Sequence, residues 1–142
     1  MVRIQLSLIQ PDFGFEATDQ SGIKARFDTT PTDGGKNFGV RPMQGLLMSL
    51  GSCSGIDVVS ILKKMRQEIT SYSMVIEGER EADKVPSLWQ KIHVLFQLSG
   101  AIEEEKAKHA IQLSIEKYCS VAETLRRAGC EITWSLELNQ SN

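Results

Sequence analysis

Two cysteines with small neighbours are the side chains of this 142-residue sequence best suited to chemistry. Cys53 lies in a run of five small residues, from Gly51 to Gly55, inside an otherwise bulky apolar segment, and Cys119 has small neighbours within 117–122. A cysteine that attacks a peroxide becomes a sulfenic acid, and a second thiol can condense with it to a disulfide. If the two segments cross, Cys53 and Cys119 predict a redox pair.

The small residues around Cys53 also have a purely structural interpretation. Glycine in a helix interior costs about 0.5 to 1 kcal/mol relative to alanine, so Gly51 and Gly55 indicate that something approaches this segment closely. Either a neighbouring element or a substrate could do so. Taken alone, Cys53 would be explained as a small apolar side chain at a helix crossing. The presence of Cys119 favours the redox interpretation.

An attacking cysteine must be a thiolate, and a free thiol titrates near about 8.5, so a nearby cation is expected. Arg26 is the favoured candidate and Arg41 the second, although either could be a simple surface charge. Asp57 follows Cys53 by four residues on the same helical face, where its negative charge opposes a thiolate. We interpret it either as a group that is paired with a cation or orients the site, or as a helix carboxylate with no role in chemistry.

The other candidate groups carry no functional prediction. Cys130 follows Gly129 at the predicted start of a strand, which is typical of a structural cysteine. His93 and His109 are isolated, so we expect neither a metal site nor a cofactor. No glycine-rich phosphate loop, nucleophilic-serine elbow or basic aromatic stripe occurs in the sequence.

Charge and hydropathy argue for a cytoplasmic protein without nucleic-acid or membrane partners. Lys and Arg number 16 against 18 Asp and Glu, for a net charge of −2. The opening residues alternate between apolar and polar, and no unbroken apolar run approaches the roughly 20 residues of a membrane span. Three cysteines without an export signal indicate reduced thiols. The length is that of one domain, 1–142.

The apolar periodicities predict an α+β domain in the order strands, long helix, strands, long helix, strand. The predicted segments are an opening β-meander over 2–27, a loop over 29–39, a helix from Pro42 to about Arg66, strands over 73–79 and 92–98, a helix from near Glu103 through Leu125, and a strand over 132–138. A single small sheet cannot cover two helices this apolar, so we expect a second copy of the chain to supply the remaining cover.

Five segments of the sequence together carry a family resemblance: RPMQGLLMSLGSC (41–53), SGIDVVSIL (54–62), EGER (77–80), KIHV (91–94) and EKYCSV (116–121). With these segments the chain resembles the OsmC-like branch of the OsmC and organic-hydroperoxide-resistance superfamily. The resemblance implies antiparallel sheets around two long central helices in an intertwined homodimer with active sites at its interface.

The same resemblance implies a peroxiredoxin-type thiol peroxidase that serves in oxidative stress defence. Cys53 would be the peroxidatic thiol and Cys119 the resolving one, with an arginine and a glutamate tuning the first. The substrates would be organic hydroperoxides, and dithiols such as lipoyl groups would recycle the enzyme.

The sequence departs from the peroxidase branches in two places. Met43, followed by Gln44, stands where those branches have the glutamate that anchors the arginine, and Ser120 and Val121 stand where the hydroperoxide-resistance branch has a nearby proline. Two hypotheses therefore remain open. The protein is either a hydroperoxide reductase or a non-catalytic dimer that binds an apolar ligand or senses redox state through the same thiols.

Overall fold

The structure is a computed structural model that describes residues 1–141. It divides into two compact units, the first comprising Met1–Leu46 and the second beginning at Leu47. The boundary falls inside a helix, α1 (Pro42–Lys64). The alternation of strands and helices confirms the predicted α+β class.

The first unit is the predicted β-meander. Its strands are β1 (Gln5–Gln10), β2 (Gly14–Thr18) and β3 (Lys24–Phe27), which pair antiparallel in that order. The loop that follows is organised by Asp28, which is buried and accepts backbone N–H groups from Thr29, Lys36 and Phe38. Hydrogen bonds from Lys36 and Phe38 lower the pKa of this carboxyl group.

The second unit contains most of α1 and a three-stranded sheet. The strands are β4 (Glu68–Arg80), β5 (Trp89–Ala101) and β6 (Glu131–Gln140), each longer than its apolar alternation predicts. β4 pairs antiparallel with β5, whereas β6 runs parallel to β5. The parallel pairing follows because the chain returns to the sheet through a helical crossover.

The core of the second unit lies between α1, the sheet and the second helical segment. One face of β5 is fully covered, and so is a stripe along α1; the buried side chains are Ile92, Val94, Phe96 and Leu98 on β5, and Leu50, Val58 and Leu62 on α1. Each such side chain contributes roughly 1.5 to 3 kcal/mol when it is removed from water. By length and mean hydropathy α1 also meets the criteria of a membrane span, a test that core helices of soluble proteins pass too.

The prediction of one continuous helix from Glu103 to Leu125 was wrong. Helix α2 (Glu104–Leu113) is followed by a π-helical turn (Ser114–Tyr118), Cys119 is extended, and α3 (Ser120–Arg127) begins after it. The Arg126 guanidinium donates to the Ile115 carbonyl oxygen at 2.6 Å and so satisfies an acceptor of the irregular turn. Gly129, at φ 98°, follows the end of α3, where a helix stop is predicted.

Candidate functional site

Cys53, Asp57 and Cys119 meet in the second unit. Their sulfur and carboxylate oxygen atoms all lie within 4.8 Å of one another. Helix α1 carries Cys53 and Asp57 one turn apart on one face, and the break between α2 and α3 presents Cys119 to them. The prediction that the two thiols approach each other is therefore confirmed.

Cys119 is the N-cap residue of α3. Its Sγ accepts a hydrogen bond from the Ala122 backbone N–H at 3.3 Å, and the side chain is only 2% exposed. Burial raises the pKa of this thiol to about 11; the Ala122 N–H opposes that shift, and the neighbouring Cys53 thiol and Asp57 charge add to it. Near neutral pH, Cys119 is accordingly a thiol.

Asp57 accepts a hydrogen bond from Ser114, which is the first residue of the π-helical turn. The Ser114 hydroxyl donates to Asp57 Oδ2 at 2.9 Å and also lies 3.3 Å from the Ser54 carbonyl oxygen. Within residues 1–141, no Lys or Arg side chain forms an ion pair with Asp57. Of the interpretations left open by the sequence, cation pairing is therefore not found among these residues. The hydrogen bond from Ser114 fits both a carboxylate that orients the site and a helix carboxylate with no role in chemistry.

Ser114 did not emerge from the sequence analysis, although a signal was present. It is a fully buried polar residue on the inner stripe of the second helical segment, among Ala110, Ile111 and Ile115. A serine in an otherwise apolar stripe must find a hydrogen-bond partner, because leaving a buried hydroxyl unpaired is costly. Its partner is the carboxylate of the candidate site.

Side chains of β4 occupy the space left by the glycines on either side of Cys53. A Cβ at Gly51 would meet Ile76 Cδ1, and a Cβ at Gly55 would lie 2.8 Å from Met74 Cε. The close approach predicted from the two glycines is confirmed, and a neighbouring strand makes it. The glycines are explained by packing, which leaves the thiol pair as the feature that points to chemistry.

Both candidate arginines lie in the first unit and have partners there. Arg26 Nε lies 3.2 Å from Glu16 Oε2, and its guanidinium is 4.8 Å from the centroid of the Phe38 ring. Arg41 donates to the Gly39 carbonyl oxygen and to Asn37 Oδ1, at 3.2 and 2.8 Å. Which arginine acts on Cys53 stays a prediction.

Glu16 is a further residue that the sequence analysis did not single out. It lies directly opposite Arg26 in the β2–β3 register and also pairs with Lys24 at 3.0 Å. Hydrogen bonds from Lys24 and Arg26 lower the pKa of Glu16. The observed register pairs Thr18 with Lys24, so the connection is one residue longer than the predicted turn at 19–22; counting outward from that turn would have placed Glu16 across from Ala25.

The remaining thiol and the histidine on β5 lie apart from this cluster. Cys130 is buried, with Sγ 3.7 Å from the Glu131 carbonyl oxygen, and burial raises its pKa. The His93 ring nitrogens lie 2.8 Å from the hydroxyls of Thr133 and Ser135 on β6. Cys53, Asp57 and Cys119 are the residues within 1–141 whose side chains are grouped closely enough to hold a metal ion.

Comparison with known proteins connects this geometry to a family. The model of the family described as OsmC-like protein matches residues 33–135, a range that includes both site cysteines. The chain belongs to the OsmC-like protein family. One curated relative, protein YhfA of Escherichia coli K12, is 41% identical over 98 residues, which cover 68% of this chain and 72% of YhfA.

Solved structures place the OsmC-like fold over nearly the whole chain. A hypothetical protein from Aquifex aeolicus is 31% identical and superposes with a TM-score of 0.81, over 98% of each chain. An organic hydroperoxide resistance protein OsmC from Legionella pneumophila superposes with a TM-score of 0.71 over 96% of each chain, at 12% identity. The second likeness concerns the fold alone.

Proposed function

We propose that this OsmC-like protein is a cysteine-based thiol peroxidase that reduces organic hydroperoxides in oxidative stress defence. The observation that carries the proposal is the approach of the Cys53 and Cys119 sulfurs where α1 meets the break between α2 and α3. The name of the Legionella relative as an organic hydroperoxide resistance protein adds support.

The exposure of the two thiols supports the proposed order of action. Cys53 is partly exposed and Cys119 is buried. A peroxide from solvent reaches Cys53 more readily, so Cys53 is the peroxidatic thiol and Cys119 the resolving one. The high pKa of Cys119 suits this order, because a thiol that stays protonated does not compete for the peroxide.

The cycle balances with a dithiol as the reductant. The Cys53 thiolate attacks the hydroperoxide, an S–O bond forms, the O–O bond breaks, and the alkoxide leaves as an alcohol after it takes up a proton. The Cys119 sulfur then attacks the Cys53 sulfenic acid, and water leaves as the disulfide forms. A dithiol such as a lipoyl group exchanges with this disulfide, becomes a disulfide itself and restores both thiols.

Arg26 is the proposed cation that favours the Cys53 thiolate, with Arg41 as the alternative. The pairing with Glu16 gives Arg26 a carboxylate anchor, which the sequence lacks at Met43 and Gln44. A guanidinium held by a carboxylate keeps a fixed orientation. Glu16 could therefore supply the anchoring contact from β2.

A cytoplasmic homodimer is part of the proposal. The first unit leaves large apolar side chains on one face of β1 and β2 exposed, at 40% to 54% of their surface: Leu6, Leu8 and Phe15. Apolar patches of this kind are rarely left uncovered on monomeric proteins. A second copy of the chain is the proposed cover.

Peroxide consumption by purified protein tests the activity. With excess dithiothreitol, wild-type protein should consume many equivalents of cumene hydroperoxide per chain, and Cys53→Ser should consume none above background. In a parallel sample without reductant, Cys119→Ser should stop after one equivalent of peroxide with a sulfenic acid at Cys53, because no second thiol in the cluster can condense with it. The control is Cys130→Ser, whose thiol lies outside the cluster and whose turnover should match wild type. Consumption of about one equivalent or less by wild type would contradict the proposal.

A second function is favoured by a groove beside α1. Ile56, Val59, Tyr72 and Met74 line a largely apolar groove of about 600 Å³. Such a groove suits an apolar ligand bound without chemistry. A binder or redox sensor would consume about one equivalent of peroxide and would retain ligand in Cys53→Ser, so the same measurement separates the two functions.

A further inference from the structure

The group formed by Cys53, Asp57 and Cys119 has the composition of a site for a soft divalent cation. We propose that the reduced protein binds one Zn²⁺-class ion between Cys53 Sγ, Asp57 carboxylate oxygen and Cys119 Sγ. Zn²⁺ is bound in proteins by cysteine sulfur and by Asp or Glu oxygen. Three protein ligands leave a fourth position for water or a small thiol.

The distances fit after small side-chain movements. Tetrahedral Zn²⁺ with Zn–S bonds of about 2.3 Å requires two ligand sulfurs about 3.8 Å apart. The three donor atoms already lie within 4.8 Å of one another. Closing this gap needs less movement of the sulfurs than forming a disulfide, whose S–S bond is about 2.05 Å.

Each donor is oriented by a separate part of the fold. Helix α1 fixes Cys53 and Asp57 one turn apart, Ser114 holds the Asp57 carboxylate through a 2.9 Å hydrogen bond, and the α3 N-terminus holds the Cys119 sulfur. Hydrogen bonds of this type orient metal ligands in known sites. Helix α1, the π-helical turn and α3 thus each help to position the three donor atoms.

The charge of the group favours a cation over a thiolate alone. Asp57 is adjacent to two thiols, and no Lys or Arg of residues 1–141 forms an ion pair with it. Ionising either thiol there places like charges side by side, which is unfavourable. One divalent ion offsets two of the three negative charges of the carboxylate and both thiolates, and so lowers the repulsion among them.

Metal and peroxide must then compete for the same sulfurs. Binding requires both thiols to lose their protons, which are released on binding. A disulfide between Cys53 and Cys119 removes two of the three ligands. The ion would therefore occupy only the reduced protein and would shield its thiols from oxidation, and this last consequence rests on the proposed peroxidase activity.

Direct spectroscopy tests the site independently of turnover. Reduced protein, freed of reductant, is titrated with Co²⁺ or Cd²⁺ while thiolate-to-metal charge-transfer absorption is recorded, and Zn²⁺ is then added to displace the probe. We expect saturation at one ion per chain. The band should be absent from Cys53→Ser and Cys119→Ser and unchanged in Cys130→Ser.

Two further samples separate ligation from loss of folding. Wild-type protein oxidised with diamide keeps its sequence and should lose the band when mass spectrometry shows the intramolecular disulfide. Ser114→Ala keeps all three ligands but removes the donor to Asp57, and should weaken binding by about 10- to 100-fold. Wild-type protein with no band, or a band that persists in Cys119→Ser, would overturn the proposal.

The outcomes for metal binding and for peroxidase activity are distinguishable. A saturable band in a protein without peroxide turnover would support the metal site and refute the enzyme. Turnover without a band would do the reverse. If both hold, one equivalent of Zn²⁺ per chain should slow the first turnover of pre-reduced protein, measured without added thiol because thiols chelate the metal.

Discussion

Cys119 combines a buried sulfur with a position at the first turn of a helix. The two environments act on its thiol in opposite directions, since burial disfavours the thiolate and the Ala122 N–H favours it. Burial is the larger effect, so the pKa is high. The reactivity of this residue consequently depends on pH over a wide range.

The pH dependence of disulfide formation follows from this pKa. When Cys53 has been converted to its sulfenic acid, closure of the disulfide requires the Cys119 thiolate. Burial, the largest cause of the raised pKa of Cys119, persists in that state, whereas the contributions of the Cys53 thiol are gone. The closure rate should therefore increase about tenfold per pH unit upward from neutral pH, for as long as the Cys119 thiol is mostly protonated. Rapid mixing with one equivalent of peroxide, acid quenching and mass spectrometry would measure it. A rate that does not change between about pH 7 and pH 8 would contradict the assignment.

At the scale of single residues, the sequence predicted the residues of the candidate site but not the residues that hold them in place. The two cysteines and Asp57 have distinctive spacings and neighbours, and they meet as expected. Ser114 and Glu16 belong to residue types that are common on any surface. Their importance arises from tertiary and cross-strand contacts, which a one-dimensional pattern encodes only weakly.

The π-helical turn between α2 and α3 is the element that presents Cys119. Apolar residues continue at helical spacing through Ala107, Ile111 and Ile115 to Ala122, so the sequence predicted a single helix. The buried stripe continues on both sides of the break. Periodicity alone could not detect the interruption, although π-helical turns are frequent at functional sites.

The glycines of α1 provide a stability test for the packing of β4. Gly51→Ala would place a methyl group against Ile76 Cδ1, whereas Gly55→Ala would meet the flexible end of Met74. Overpacking destabilises a fold by about 1 to 3 kcal/mol, whereas replacing a helical glycine with alanine stabilises it by up to about 1 kcal/mol. We expect Gly51→Ala to lower the free energy of unfolding by about 1 to 2 kcal/mol, and Gly55→Ala to be nearly neutral.

Urea denaturation of both variants at one protein concentration would measure these differences. The two substitutions are chemically identical and one turn apart, so each serves as the control for the other. Equal changes in the free energy of unfolding would contradict the prediction that Ile76 restricts position 51 more than Met74 restricts position 55.

At the scale of the whole molecule, the order of strands and helices was predicted because apolar alternation in β5 and β6 is strong. The parallel pairing of β6 with β5 was not predicted, because the alternation of apolar and polar residues carries no information about the direction of a strand. The expectation that a second copy covers the chain began from the apolar helices. Because apolar side chains of β1 are also exposed, we expect a second copy to cover the first sheet as well.

Replacing apolar residues on β1 should weaken the proposed dimer. Leu6 and Leu8 lie on one face of the strand and are more than half exposed. The double variant Leu6→Lys/Leu8→Lys should shift sedimentation from dimer to monomer. The matched control, Gln5→Lys/Ser7→Lys, places the same charges on the opposite face and should remain dimeric. A monomeric wild type would contradict the prediction.

The helix cap at Cys119 has a thermodynamic consequence for the oxidised protein. The sulfur that accepts the Ala122 N–H is also the atom that would bond to Cys53. Drawing this sulfur into a disulfide bond of about 2.05 Å moves it toward Cys53 and changes its position against that N–H. The first turn of α3 would then lose part of its stabilisation as the thiols lose electrons. The stability of this helical turn and the oxidation state of the thiols would be linked at one atom, because oxidation would change the hydrogen bonding of the Ala122 backbone N–H.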